Sequence, residues 1–113
     1  MYSYTATIGR NYSNALAVPP SMRGQTMTLT RWERFIEDVV ADMKTALDHQ
    51  DVEIHRGRGV WDGVEEESAK ITILRHTKPS DAALTILRHY LSDNAHQYGQ
   101  DAIALTIGTS ELC

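Results

Sequence analysis

The sequence predicts a small α+β domain, a ferredoxin-like β-α-β-β-α-β sandwich with a four-stranded antiparallel sheet and both helices on one of its faces. Three observations predict it. The first residues alternate apolar and polar side chains with the period of a strand, and a long segment near residue 40 carries one apolar stripe with the period of a helix. The remaining apolar runs are short, and in chain order they read strand, strand, helix, strand. With 113 residues the chain can build one two-layer core, so residues 1–113 are read as a single domain.

The first strand places Tyr2, Tyr4, Ala6 and Ile8 on one face and Ser3, Thr5 and Thr7 on the other, and it ends at Gly9. Residues 10–27 follow, with Asn11, Asn14, Pro19, Pro20 and Gly24, a composition that breaks regular structure and predicts a long loop. Thr30 and Glu33 have capping-box spacing, which predicts a helix start at that point. Its buried stripe is Trp32, Phe35, Ile36, Val39, Val40, Met43 and Leu47, and its acid row of Glu33, Glu37, Asp38, Asp42 and Asp48 is expected to face water. Val52 and Ile54 begin a second strand, a glycine-rich stretch (Gly57, Gly59, Gly63) intervenes, and Ala69, Ile71 and Ile73 mark a third. Pro79, Ser80 and Asp81 open a second helix whose stripe is Leu84, Leu87, Tyr90 and Leu91. Gly99 closes that helix, and the apolar run 102–107 is the last strand. Right-handed crossovers then dictate the spatial strand order 4-1-3-2.

Composition removes several function classes. The net charge is −4, with 15 acids against 11 Lys and Arg, which disfavours a general grip on nucleic acid backbone. Neither a signal peptide nor an 18-residue apolar run is present, so the sequence reads as a cytoplasmic chain without a membrane partner. The single cysteine, Cys113, can form no intrachain disulfide, and the five histidines lack metal-site spacing, so neither metal nor cofactor is expected. No serine occupies a nucleophile elbow.

Topology points to a site. In this fold the loop after strand one and the turn between strands two and three lie at the same end of the sheet, so residues 10–27 and 56–68 should converge. Together they offer Arg10, Asn11, Tyr12, Arg56, Arg58, Trp61 and Glu66 as ligand contacts. Guanidinium forks suit phosphate or carboxylate and aromatic rings suit a base, which suggests capture of a small anionic, nucleotide-like ligand. The Gly57-Arg58-Gly59 fragment has neither the continuation of a dinucleotide fingerprint nor that of a phosphate loop. Alternatively, Arg56 and Arg58 pair with Glu65, Glu66 or Glu67 across the hairpin. Two other readings use the same segments: a small dimeric enzyme with His55 or one of Glu65, Glu66 and Glu67 as acid or base, and an adaptor for a host protein. The last strand lacks the charges and prolines that protect a sheet edge, which predicts a homo-oligomer.

The run from Tyr4 to Arg10 leading to Trp32 and Phe35, with Gly59-Val60-Trp61-Asp62-Gly63 and Glu66-Glu67-Ser68, resembles small uncharacterised proteins of actinobacteria and their phages. That resemblance implies a phage accessory protein that binds its target without catalysis, including the kind that sequesters host nucleotide signals.

Overall fold

The computed structural model describes residues 1–16, 18–61 and 63–109, with Trp61 described in its backbone alone. The stacking role expected of the Trp61 ring, Asp62 and the terminal Cys113 lie outside the described residues. The elements run β1 (Tyr2–Gly9), α1 (Leu29–Leu47), β2 (Glu53–Trp61), β3 (Val64–Arg75), α2 (Asp81–Gln97) and β4 (Ala104–Thr109). One antiparallel sheet in the order β2-β3-β1-β4 joins them, which is the predicted ferredoxin-like arrangement.

Alternation in the central strands selects the face that the helices cover. Tyr4, Ala6 and Ile8 of β1 and Ala69, Ile71 and Ile73 of β3 are buried together with Phe35, Val39 and Met43 of α1 and Leu87 and Leu91 of α2. Residues between them on the open face are polar, and Thr5 and Thr72 hydrogen-bond across the strands at 2.9 Å. Trp32 is core, as its place in the stripe predicts.

Three local expectations need correction, beyond a shift of two residues in the start of the last strand. The N-cap of α1 is Thr28, whose hydroxyl accepts the Arg31 N–H, and not Thr30. Starting two residues earlier puts Met27 just before the cap and Trp32 at the fourth helical position, and both are buried, so an apolar staple fixes the start in preference to the Thr30-Glu33 box. Secondly, the glycine-rich stretch is strand: Gly57 and Gly59 pair with Ser68 and Glu66, and Trp61 pairs with Val64. In the connection Gly63 has φ +75°, a conformation that glycine adopts without strain. Since the β1 pairing stops at Gly9 opposite Ser68, the β2–β3 hairpin projects past the sheet as an arm. The last strand begins at Ala104, two residues later than its apolar run.

The third correction concerns the acid row of α1. Asp38 accepts a hydrogen bond from the Tyr98 hydroxyl, and Asp42 accepts one from Asn94 Nδ2 at 2.5 Å, so two of the expected surface acids face α2. Asn94 is almost fully buried and Tyr98 completely so, which makes these bonds obligatory partners for polar groups removed from water. Burial pushes the Asp42 carboxyl above its usual range, and the Asp38 and Asp93 charges add to the shift against the pull of Asn94. The Tyr98 ring also stacks on Phe35, centroids 4.5 Å apart, and so bolts the end of α2 to α1.

Burial, reinforced by the Asp38 carboxylate, pushes the Tyr98 hydroxyl from 10.0 up to about 12. A folded state that holds this proton more tightly than the unfolded chain is stabilised below the ordinary pKa, and it loses that stability as pH rises through the folded one. Urea melts should show stability falling between pH 10.0 and about 12. Tyr98→Phe should flatten that slope while costing about 1–3 kcal/mol at neutral pH, because Asp38 loses its donor.

Candidate functional site

The 10–27 loop is long but well tied. Backbone hydrogen bonds close its base, Tyr12 N to Gln25 O at 2.8 Å and Met27 N to Arg10 O at 3.0 Å, with an Asn11–Thr26 bridge between them. Arg23 folds inward and donates from Nε to the Ala15 and Val18 carbonyls and from a terminal nitrogen to the Leu16 carbonyl, so it organises the tip of the loop. Arg10 acts likewise at the base, donating to the Met27 carbonyl at 2.9 Å and to the Glu67 carboxylate at 3.0 Å.

Two flanks hold the closed loop. On the β3 side the Asn11 N–H donates to Glu66 Oε2 at 2.8 Å. That carboxylate lies where a side chain on Gly9 would be, an added Cβ falling 2.6 Å from its Oε1, so Gly9 leaves the space that Glu66 fills. On the other flank the α2–β4 connection reaches across: Gln100 Nε2 donates to the Asn11 carbonyl at 2.9 Å, Ser13 N to the Gly99 carbonyl at 2.8 Å, and Ser13 Oγ to Asp101 at 2.6 Å. Gly99, at φ +64°, lets the Tyr12 ring lie against the chain, since a Cβ there would stand 2.8 Å from the ring edge.

Between the flanks is a cleft of about 400 Å³ whose walls include Asn11, Tyr12, Ser13, Val64, Glu66, Gln100 and Asp101. Its size suits a nucleoside-sized molecule. Carboxylates supply its formal charge, from Glu66 and Asp101, and no Lys or Arg is among the described lining residues. Such a cleft favours a ligand with an aromatic ring for Tyr12, hydrogen-bonding groups for Asn11 and Gln100, and positive charge.

The structure brings three of the sequence-derived residues to this cleft, Asn11, Tyr12 and Glu66, with Arg10 supporting the loop beneath them. Arg56 and Arg58 are not brought there. Both lie on β2, separated from β1 by β3; Arg56 forms a two-point ion pair with Glu33 of α1, and Arg58 lies 3.6 Å from Glu65. The Arg56 guanidinium holds the Glu33 carboxyl below its usual range. His55 lies on β2 beside Glu53 at 3.3 Å and does not line the cleft. Among the three consecutive glutamates, Glu66 alone lines it, while Glu65 and Glu67 serve Arg58 and Arg10. Sequence reasoning missed Ser13, Gln100 and Asp101. The signal was topological: the connection after the second helix lies at the same end of the sheet as the other two.

No family model matches the chain, and no curated protein does. Among solved structures, the chain is similar to a phage SAM lyase in its apo state, with 22% identity over 95% of this chain and 78% of that one and a TM-score of 0.62. It is also similar to a phage SAM lyase in complex with S-methyl-5′-thioadenosine, with 21% identity over 95% of this chain and 79% of that one and a TM-score of 0.57. The likeness is one of fold.

Gly9 and Glu66 form a pair whose coupling can be measured. Gly9→Ala should lower stability by about 1 kcal/mol, because the new methyl group displaces the Glu66 carboxylate from the Asn11 N–H. In a Glu66→Ala background the same substitution should cost much less, so thermal melts of the four proteins should show non-additivity.

Proposed function

We propose that this chain is a phage protein that binds an S-adenosyl sulfonium compound in the cleft between the 10–27 loop, β3 and the α2–β4 connection, and cleaves it to release S-methyl-5′-thioadenosine. One observation carries the reading: an acidic, nucleoside-sized cleft with a tyrosine wall occurs on a fold shared over 95% of the chain with a phage SAM lyase. The complex of a phage SAM lyase with S-methyl-5′-thioadenosine supports the choice of an adenosine-bearing ligand. Charge supports it as well, since a sulfonium and an ammonium on one ligand suit a pocket bearing Glu66 and Asp101.

The chemistry asks little of acid–base groups. In S-adenosylmethionine the bond between sulfur and the side-chain γ-carbon breaks with its electron pair going to sulfur, which leaves as a neutral thioether. The ligand's own carboxylate attacks that carbon, forming one C–O bond as the C–S bond breaks, so the products are a lactone and S-methyl-5′-thioadenosine with no proton gained or lost. Carboxylate and sulfonium charges annihilate along this path, so excluding water and bending the tail toward the carbon accelerate it. A wall carboxylate such as Glu66 stabilises the cationic ligand more than the transition state, so its part is capture and orientation. The tie of Glu66 to the Asn11 N–H and of Asp101 to Ser13 suits that part.

A second reading is capture without turnover, which the same ties support, because they hold both carboxylates in place as binding groups. Each reading is compatible with a homo-oligomer built on the β4 edge, where Ile107 is 45% exposed. Among the described residues no helix is long and apolar enough to cross a membrane.

The test is to incubate the purified protein with S-adenosylmethionine and follow S-methyl-5′-thioadenosine by chromatography, alongside Tm shifts with both compounds. Product at a rate above the spontaneous one, abolished by Ala102→Trp in the cleft wall and reduced by Tyr12→Ala, is the expected outcome. Binding without product would leave capture alone. If neither compound raises Tm or yields product, both readings fail.

A further inference from the structure

A second cavity, of about 370 Å³, lies inside the 10–27 loop. It shares the Tyr12, Gln100 and Asp101 wall with the cleft, but its floor is different in kind: Val18, Pro19 and Met22 from the loop on one side, and Arg31 of α1 with Gln97 of α2 on the other. The loop is therefore not packed solid against the helices, although Arg23 holds its tip in a fixed shape.

Arg31 is the unusual group. Its guanidinium lies over the Tyr98 ring at 4.8 Å and 5.9 Å from the Tyr12 centroid, and one terminal nitrogen donates to the Gln97 carbonyl at 2.8 Å. Its Nε is sealed from water with no hydrogen-bond partner among the described residues. Arg10, Arg56 and Arg58 each have a carboxylate, whereas no described carboxylate forms an ion pair with Arg31. Nothing in the cleft reading uses this cation, and an unmet guanidinium N–H is costly to keep in a folded chain.

We propose that this cavity is a binding site for a small carboxylate with a short apolar body, its head on the Arg31 guanidinium and its hydrocarbon against Val18, Pro19 and Met22. Nε is sealed and one terminal nitrogen is taken by Gln97, so the other terminal nitrogen of Arg31 is the donor left to the ligand's carboxylate, a charge-assisted contact. Asp101 on the shared wall is engaged by the Ser13 hydroxyl, and its charge turns the anionic head toward Arg31 and away from the cleft. The aliphatic lining gives the tail its own contribution, so head and tail are both needed. This site stands whether or not the cleft takes a sulfonium nucleoside.

Methyl NMR of Val18 and Met22, with hexanoate as the probe and hexanol and hexylamine as controls, tests it. Hexanoate at millimolar concentration should shift both methyl signals, and the controls should not. Arg31→Met should weaken hexanoate about tenfold or more, the loss expected for a charge-assisted contact. Because that substitution also removes the Gln97 bond, Ala15→Trp, which fills the cavity from the loop side and keeps Arg31, should abolish the hexanoate shifts as well. An equal response to hexanol, an unchanged response in either variant, or no response to hexanoate would overturn the proposal. The titration contains no nucleoside, so its outcome is separate from that of the cleft.

Discussion

Tyr98 has to satisfy three demands at once at the end of α2: its ring must be covered, its hydroxyl needs an acceptor, and the chain must turn immediately after it into Gly99. The first is met by stacking on Phe35, the second by Asp38, and the third by the left-handed conformation of Gly99. Because both partners of Tyr98 lie on α1, the two helices are locked at the end of the molecule where the loops converge. Everything that builds the cleft on its α2 side, Gln100 and Asp101 included, is attached within four residues of this anchor. The same ring carries the Arg31 guanidinium, so the second cavity depends on it too.

The 10–27 loop shows how a segment with no helix or strand among its described residues can still be tied in one shape. Its arginines point inward, Arg23 to three carbonyls of the tip and Arg10 to a carbonyl and a carboxylate at the base. Backbone carbonyls in a loop have no ladder to satisfy them, and a guanidinium with five donors serves several at once. Such an arginine is lost to ligand binding. Pairing accounts for Arg56 and Arg58 in the same way, and it leaves the cleft's formal charge to its carboxylates.

Glycine has two distinct uses at the site. Gly9 gives Glu66 the volume it occupies, and Gly99 gives Tyr12 a flat surface while supplying the turn out of α2. Both act through what a Cβ would hit, so both are contacts between residues distant in the chain. The cleft is assembled by these absences as much as by the side chains that line it.

The sequence by itself determined the order of elements, the strand order and the face that the helices cover, because periods of two and 3.6 are local properties that survive any arrangement of neighbours. It also placed Asn11, Tyr12 and Glu66 at one end of the sheet, since topology fixes which connections share an end. Only the tertiary structure decided which charged groups are spent on one another. Arg56 with Glu33, Arg10 with Glu67, Tyr98 with Asp38 and Asn94 with Asp42 are all pairs more than 20 residues apart. Whether a polar side chain faces a partner or a ligand depends on geometry that no local pattern encodes, and for that reason Gln100, Asp101 and the unpaired Arg31 became visible only once the chain was folded.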